Sequence, residues 1–270
     1  MDLAPALYIS HGGGPMPLLT KDDPCAVKLR SIAAVIKKSP DAILVITAHW
    51  AAQTGFQVST GISHSLLFDY SGFPAESYKY KYNVNGAPTI AEKVIKSLNE
   101  FGIPCDGDSK RGYDHGVFVP LMVMFPDANI PVVAMSINIG LDPSLHLRAG
   151  KAIAKLREMN VMIIGSGSSF HNFEYFFARD EKKIREGVAA ARAFDRFLVD
   201  ALTSPTITSE QREEKLLQWY SAPSALQCHP LGQEEHLIPL HVVVGASLGQ
   251  PGKHLGSASV RGYDLSFFEF

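Results

Sequence analysis

Three histidines each follow a short apolar run. His11 comes after ALYIS and precedes three glycines and a proline, His49 comes after AILVITA, and His171 comes after VMIIG and a serine-rich stretch. Such runs are typical of parallel strands, whose carboxyl ends share one edge of an open α/β sheet, so we expect the three imidazoles to meet at that edge. Neutral imidazoles bind divalent first-row metals, and the pattern therefore indicates a metal or catalytic site.

Two further histidines stand beside acidic residues. His115 belongs to the tripeptide DHG, which suits a turn, although an acid next to a histidine also suits proton transfer. His236 follows two glutamates and begins an apolar helical stretch, so its imidazole can face the same edge of the sheet. His241 lies five residues on, about 140° round the helix, and is predicted to be either a core residue or one that contacts the ligands from behind. Polar surroundings predict surface positions for His64, His146 and His254.

The elements that must position these side chains alternate along the chain. Apolar runs without polar alternation predict buried strands at Ala6–Ser10, Ala42–Thr47, Pro131–Ile137 and Val161–Gly165. Helical periodicity predicts helices at Ala26–Lys37, Pro88–Phe101, Leu145–Met159 and Glu181–Leu202. The alternation predicts a single α/β domain over residues 1–270, with a mostly parallel central sheet and helices on both faces. The final stretch, Ser257–Phe270, is predicted to be a late edge strand.

Composition narrows the classes of partner. The formal net charge of −2 gives no reason to expect nucleic acid or an anionic membrane as partner. The sequence contains no run of about 18 apolar residues, so no membrane span is predicted. The first ten residues lack the pattern of a signal peptide. The three cysteines are few and far apart, which favours free thiols in a reducing compartment. We therefore expect a cytoplasmic protein.

Six segments together resemble a known family. They are SHGGGPMPLL, TAHW, DYSGFPAESYKYKY, GYDHGVFVPLMVMFPDANIPVVAMSI, GSGSSFHN and HPLGQEEHLIPLHVVVGA. In this order, and over nearly the whole length, they resemble the class III extradiol ring-cleavage dioxygenases, and within these the DOPA 4,5-dioxygenase-like branch. The resemblance implies an enzyme that inserts both atoms of O₂ into a catechol ring and opens it.

The resemblance also implies roles for individual histidines. His11, His49 and His236 match the metal ligands, and His171 matches an active-site histidine that some members are described as using as a fourth ligand. His115 matches a histidine that lines the substrate site, and His229 matches the histidine of the family's HP pair and is assigned to substrate binding. We expect His171 and His115 to perform the acid–base steps, since imidazole titrates near neutrality.

The implied cofactor is one divalent metal ion. Fe(II) is expected for catalysis, because a singlet catechol reacts with triplet O₂ only slowly without a redox-active ion. A three-histidine set also binds zinc, so isolated protein can carry Zn(II). Tyr70, Phe73 and Tyr78 suit an aromatic wall for the catechol ring, or ordinary anchoring of their loop. Phe68 stands where many members carry a histidine, and the triple glycine replaces the HGSP of plant members, so the identity of the catechol stays open.

Two other functions remain open from the sequence. A zinc hydrolase would use the same histidines to activate water, although the chain has no H-E-x-x-H motif. A non-catalytic peptide-binding protein of the same superfamily would share the fold, although retention of every matching histidine favours catalysis. The choice between 4,5 and 2,3 cleavage, the native metal and the oligomeric state are not predicted.

Overall fold

The computed structural model describes residues 3–270; residues 1 and 2, with which the predicted domain begins, lie outside this part. The strands are β1 (Ala6–Ser10), β2 (Ala42–Ala52), β3 (Phe56–Ser59), β4 (Cys105–Asp108), β5 (Val132–Asn138), β6 (Val161–Gly167), β7 (Lys253–Val260) and β8 (Tyr263–Glu269). The helices are α1 (Met16–Leu19), α2 (Pro24–Ala33), α3 (Pro88–Glu100), α4 (His115–Met124), α5 (Pro143–Ile153), α6 (Phe173–Phe176), α7 (Glu181–Thr203), α8 (Ser209–Leu217), α9 (Ala225–Cys228) and α10 (Ile238–Gly245). Short 3₁₀ turns occupy Ala75–Tyr78, Ala154–Met159 and Trp219–Ser221.

The eight strands form one sheet in the order β4-β3-β5-β2-β6-β1-β8-β7. Its centre is parallel, with β2 pairing both β5 and β6, and β6 pairing β1. Antiparallel pairing joins β3 to β5 and adds β8 and β7 beyond β1. The central strands are buried along almost their whole length, as their continuous apolar runs require. The predicted α/β domain with a mostly parallel sheet is confirmed.

Strand β6 shows how helices cover both faces of the sheet. Successive side chains of a strand point to opposite faces. A methyl group on Gly165 or Gly167 would meet backbone at the start of α10, at 2.6 Å from the Pro239 oxygen and 2.0 Å from the His236 oxygen. Ser166, between them, points the other way and donates to the backbone oxygen of Gly116 in α4. The two glycines thus let α10 approach the sheet closely, and this packing brings His236 to the carboxyl end of β6.

Two predicted strand boundaries were wrong. Strand β2 does not end at Thr47 but continues to Ala52, with an irregularity between Ile46 and Ala51 in its pairing with β5. The final stretch is not one edge strand but a hairpin, in which only β7 lies at the edge and β8 pairs with β1. Arg261 and Gly262 both have positive φ, 55° and 90°, which is the backbone of a tight hairpin turn.

The predicted surface position of His146 was also wrong. Its ring is fully buried on α5, where Nε2 accepts from the Asn138 backbone N–H and Nδ1 donates to the Asp142 oxygen. The polar neighbours that suggested exposure are its hydrogen-bond partners. His64 and His254 are partly buried, and His241 lies in the core as predicted. Within residues 3–270, no helix combines the length and apolarity needed to cross a membrane.

Candidate metal centre and active site

Five imidazoles meet beyond the carboxyl ends of β1, β2 and β6. His11 directly follows β1, His49 lies in the irregular part of β2, and His171 follows β6 after a short loop. His115 is the first residue of α4, and His236 lies just before α10. The structure therefore brings together every histidine that was predicted to be a metal ligand or an acid–base group.

The Nε2 atoms of the three predicted ligands converge. His49 Nε2 lies 3.2 Å from His11 Nε2 and 3.2 Å from His236 Nε2. His11 and His236 are almost fully buried, at 2% and 4% exposure, whereas the His49 side chain is 22% exposed and opens the cluster to solvent. The cluster therefore has buried walls and one accessible side.

Two of these rings have Nδ1 partners that fix the position of the imidazole proton. The Ser166 hydroxyl donates to Gly116, so its oxygen must accept from His11 Nδ1–H, at 2.9 Å. The Glu235 carboxylate accepts from His236 Nδ1–H, also at 2.9 Å. His49 Nδ1 faces the Asp69 carboxylate at 3.6 Å, beyond hydrogen-bond distance. With their protons on Nδ1, His11 and His236 turn Nε2 lone pairs towards His49 Nε2.

This donor set fits a divalent metal ion. His49 Nε2 contacts two other ring nitrogens and carries at most one proton, so at least one of these contacts brings two lone pairs together, and a cation between the nitrogens would relieve that repulsion. Ligand nitrogens 3.2 Å apart match one ion bound at about 2.1 Å from each, because that triangle has an apex angle of about 100°. Histidine ligands in metal sites also donate their second N–H to a carboxylate or another oxygen, as His11 and His236 do.

Burial keeps the three imidazoles neutral. Removal from water, together with the neighbouring imidazoles, holds the pKa values of His11 and His236 well below 6.5. Burial, followed by the neighbouring His115, lowers the pKa of His49 to about 3, although the carboxylate of Asp69 opposes this shift. Since a metal ion binds only the neutral ring, the site is prepared for one at neutral pH.

His115 is held by a carboxylate from another segment. Asp69 Oδ1 accepts from both the backbone N–H and Nδ1–H of His115, each at 2.9 Å. The ring centre of His115 lies 3.9 Å from that of His49 and 5.2 Å from that of His11. The side chain is 8% exposed. His115 therefore presents its free Nε2 edge at the cluster.

His171 lies flat against the predicted ligand His236. The two ring centres are 3.5 Å apart and the planes differ by 16°. His171 Nδ1 also faces Glu235 Oε1, at 3.2 Å, so one carboxylate oxygen serves both rings. The His171 backbone N–H donates to the Cys228 oxygen, which fixes the loop that carries it. Its side chain is 18% exposed, so a small molecule at the cluster can reach it.

Aromatic side chains of the loop after Phe68 continue this surface. The ring centre of Tyr70 lies 5.9 Å from that of His115, and the ring of Phe73 lies 5.5 Å from that of Tyr70. Tyr78 contacts Tyr70, and Phe68 packs between these tyrosines and Phe118 of α4. The loop thus places aromatic faces next to His115.

His229 lies apart from the five imidazoles. Its ring is fully buried between Phe194 and Trp219, and its Nε2–H donates to the Ser169 backbone oxygen. Burial, partly offset by that hydrogen bond, lowers its pKa to about 3. The imidazole of His229 therefore exposes no surface to a substrate in this structure.

The acid that contacts His115 is not its neighbour in the DHG tripeptide. Asp114 instead accepts from the Thr47 hydroxyl at 2.7 Å and from the Arg111 guanidinium at 3.2 Å. Arg111 also donates to the His49 backbone oxygen and lies over the Trp50 ring at 5.2 Å. Asp114 and Arg111 thus brace the irregular end of β2 that carries His49.

Sequence reasoning missed three polar residues that hold the cluster: Asp69, Ser166 and Glu235. Glu235 is adjacent to His236, and this adjacency is the available signal for it. Asp69 opens the DYSGFP segment, far from His115 in the chain, and no local pattern marks it as the partner of that histidine. Ser166 is the last residue but one of the buried strand β6. A serine near the end of an apolar run is the available sequence signal for it.

Comparison with protein families and curated proteins gives a consistent match. The family model described as the catalytic LigB subunit of aromatic ring-opening dioxygenase matches residues 5–266. A protein of Hapsidospora irregularis named dioxygenase tasH is 38% identical over 262 residues, which cover 92% of this chain and 79% of that protein. A protein of Beta vulgaris named 4,5-DOPA dioxygenase extradiol is 37% identical over 243 residues, covering 89% of this chain and 85% of that protein.

A solved structure has the same fold. The crystal structure of the uncharacterized protein JW3007 from Escherichia coli K12 superposes with a TM-score of 0.77 at 25% identity, and the match covers 99% of both chains.

Proposed function

This chain belongs to the family of the catalytic LigB subunit of aromatic ring-opening dioxygenases, and from that premise we propose that it is a metal-dependent extradiol dioxygenase. Its substrate is a catechol, which it opens with both atoms of O₂ by a cleavage like that of DOPA 4,5-dioxygenases, to give a muconic semialdehyde-type product. The observation that carries the proposal is the convergence of three Nε2 atoms, with His49 Nε2 at 3.2 Å from those of His11 and His236, beside two further imidazoles.

We assign His11, His49 and His236 as the ligands of one Fe(II) ion. Fe(II) bound there would supply the one-electron chemistry that lets a singlet catechol react with triplet O₂. His171 stacks on His236 and stays available as a fourth ligand. Zn(II) binds the same donor set, and Zn²⁺ outranks Fe²⁺ in general affinity, so isolated protein can contain zinc.

His171 and His115 are the proposed acid–base groups. His115 donates Nδ1–H to Asp69, and His171 Nδ1 faces Glu235 at 3.2 Å, so in each ring Nε2 can serve as a base for a catechol hydroxyl proton. Because His115 lies against His49 and His171 against His236, one can take a proton from the bound diol while the other returns one to the opening product. Positioned groups of this kind contribute about 10²–10⁴-fold in rate.

Tyr70 and Phe73 are the proposed wall for the catechol ring. They lie beside His115, and planar rings pack well on aromatic faces. The proposed substrate contact of His229 stays a prediction, since a catechol would reach its buried ring only after Phe194 or Trp219 moved.

Oxygen uptake tests the proposal. Protein loaded anaerobically with Fe(II) is mixed with DOPA, protocatechuate, catechol or caffeate, and oxygen consumption is followed together with visible absorbance. We expect uptake with at least one catechol and a yellow ring-opened product. If no catechol supports uptake, the proposal fails in favour of a non-catalytic binding protein, and hydrolysis of an ester or amide by the zinc form would instead support a hydrolase.

A further inference from the structure

Two carboxylates flank the cluster, and each contacts one proposed ligand and one proposed acid–base group. Asp69 contacts His49 and His115, and Glu235 contacts His236 and His171. The two residues come from distant segments, the loop before Tyr70 and the turn before α10. Their equivalent placement is unlike the scattered ion pairs of the protein surface.

We propose that Asp69 and Glu235 are positioning residues: each hydrogen-bonds one imidazole, His115 or His236, with the proton on Nδ1 and Nε2 facing the centre, and its charge favours the same form of the second ring, His49 or His171. The inference rests on the proposed function for the naming of these roles. A neutral imidazole carries its proton on either nitrogen, and a carboxylate accepts only, so a carboxylate at Nδ1 selects the form that leaves Nε2 free. A ligand and a base both require that form.

The contacts of Glu235 are unequal. Its Oε1 accepts from His236 Nδ1–H at 2.9 Å and lies 3.2 Å from His171 Nδ1, a contact at ion-pair distance. Because the one oxygen faces the Nδ1 atoms of two nearly parallel rings that are 3.5 Å apart, its charge favours Nδ1 edges on the same side in both rings. Their Nε2 edges therefore share a direction as well. Removal of Glu235 would release a ligand and an acid–base group together.

The contacts of Asp69 are unequal. Oδ1 makes two hydrogen bonds of 2.9 Å to His115, whereas Oδ2 lies 3.6 Å from His49 Nδ1, which is outside hydrogen-bond distance. Asp69 therefore fixes His115 firmly and affects His49 mainly through its charge. Removal of Asp69 would release an acid–base group and leave metal binding largely intact.

This difference gives a test that does not depend on activity. Asp69→Ala and Glu235→Ala are compared with the unaltered protein by competition titration with Zn²⁺ and a coloured chelator. Loss of a group that orients a metal ligand typically costs about 10–100-fold in affinity. We expect this loss in Glu235→Ala and a change below about threefold in Asp69→Ala. A matched control is Glu76→Gln, which alters an exposed carboxylate in the 3₁₀ turn that follows the Asp69 loop.

Nuclear magnetic resonance of the ring nitrogens reads the proton positions directly. In the zinc-loaded protein, we expect strongly hydrogen-bonded Nδ1–H signals from His115 and His236. The His115 signal should disappear in Asp69→Ala, and the His236 signal in Glu235→Ala. Asp69→Asn and Glu235→Gln keep an acceptor oxygen, so they should recover much of the ring signal and zinc affinity that the alanine variants lose. These two variants also keep the test decisive if an alanine variant folds poorly.

Activity supplies the last part of the test. Once Fe(II)-loaded, Asp69→Ala should lose at least about 10²-fold in kcat with little change in KM, as expected for a misplaced acid–base group. Equal zinc losses in both alanine variants, or ring signals that persist in both, would overturn the proposal. If the unaltered protein opens no catechol, the proposed function fails, while the zinc and ring-nitrogen results still decide whether the carboxylates position these rings.

Discussion

Ser166 offers the sharpest single perturbation of the proposed metal centre. Its buried hydroxyl accepts from His11 Nδ1–H at 2.9 Å and donates to the Gly116 oxygen at 2.5 Å. Ser166→Ala removes one oxygen and leaves both partners unsatisfied. His11 then loses the contact that keeps its proton on Nδ1 and its Nε2 free.

The expected loss follows from these two contacts. Removing a partner that orients a ligand histidine lowers metal affinity about 10–100-fold, which corresponds to about 1.4–2.8 kcal/mol of binding free energy. The two orphaned groups also cost about 1–3 kcal/mol each of unfolding free energy in the metal-free protein. Ser166→Ala should therefore weaken zinc binding and, separately, lower the midpoint of urea unfolding.

Zinc affinity is measured by chelator competition at pH 7, and stability by urea unfolding of the metal-free protein. Ser59→Ala is the matched control, because Ser59 is also a buried serine whose hydroxyl accepts from a backbone N–H, that of Ala134 on β5. The control should lose stability and keep its zinc affinity. Unchanged zinc affinity in Ser166→Ala would refute the argument that Ser166 sets the His11 proton.

Three further predictions concern other parts of the molecule. His115→Ala should lower kcat about 10²–10⁴-fold while zinc affinity stays near that of the unaltered protein; loss of the metal would instead make His115 a ligand. Burial lowers the pKa of His241 to about 4, so between pH about 6.5 and 4 the unfolded chain binds a proton that the folded protein does not. The free energy of unfolding should accordingly fall as pH falls through that window, and the contribution of His241 should be fully present above it. Urea unfolding of His241→Gln at several pH values should show a slope of unfolding free energy against pH that is smaller by up to about 1.4 kcal/mol per pH unit. Gly12 has φ +82° and no room for a methyl group, whereas Gly13 has no atom within 4 Å, so Gly12→Ala should lose about 1–2 kcal/mol of stability together with zinc affinity, and Gly13→Ala should change neither. Equal behaviour of the two glycine variants would contradict this account of the loop after β1.

Much of the fold was predictable because buried parallel strands leave continuous apolar runs. Strand β1 has the predicted bounds, and β6 begins at the predicted Val161. The end of β2 was not predictable, because the strand continues through the polar and aromatic residues His49 and Trp50, which lie within an irregularity that only pairing with β5 reveals. The final hairpin depends on Arg261 adopting positive φ, which its residue type does not indicate.

The site was predictable in its histidines and not in the residues that hold them. Histidines that follow apolar runs can be recognised in the sequence as site candidates, since parallel strands bring their carboxyl ends to one edge of the sheet. The partner of His115 is Asp69, which is 46 positions away in the chain, and no local pattern distinguishes it from the adjacent Asp114. His146 was misplaced for a related reason, because its burial depends on hydrogen bonds that form only in the folded chain.

The stoichiometry of oxygen consumption tests the central claim most directly. Fe(II)-loaded protein is given a limiting amount of the catechol that it uses best, and oxygen uptake, hydrogen peroxide and product mass are measured together. The proposed function predicts one O₂ consumed per catechol, no hydrogen peroxide, and a product heavier than the catechol by two oxygen atoms. Uptake that yields hydrogen peroxide and a quinone, or uptake that persists in His11→Ala, would contradict it.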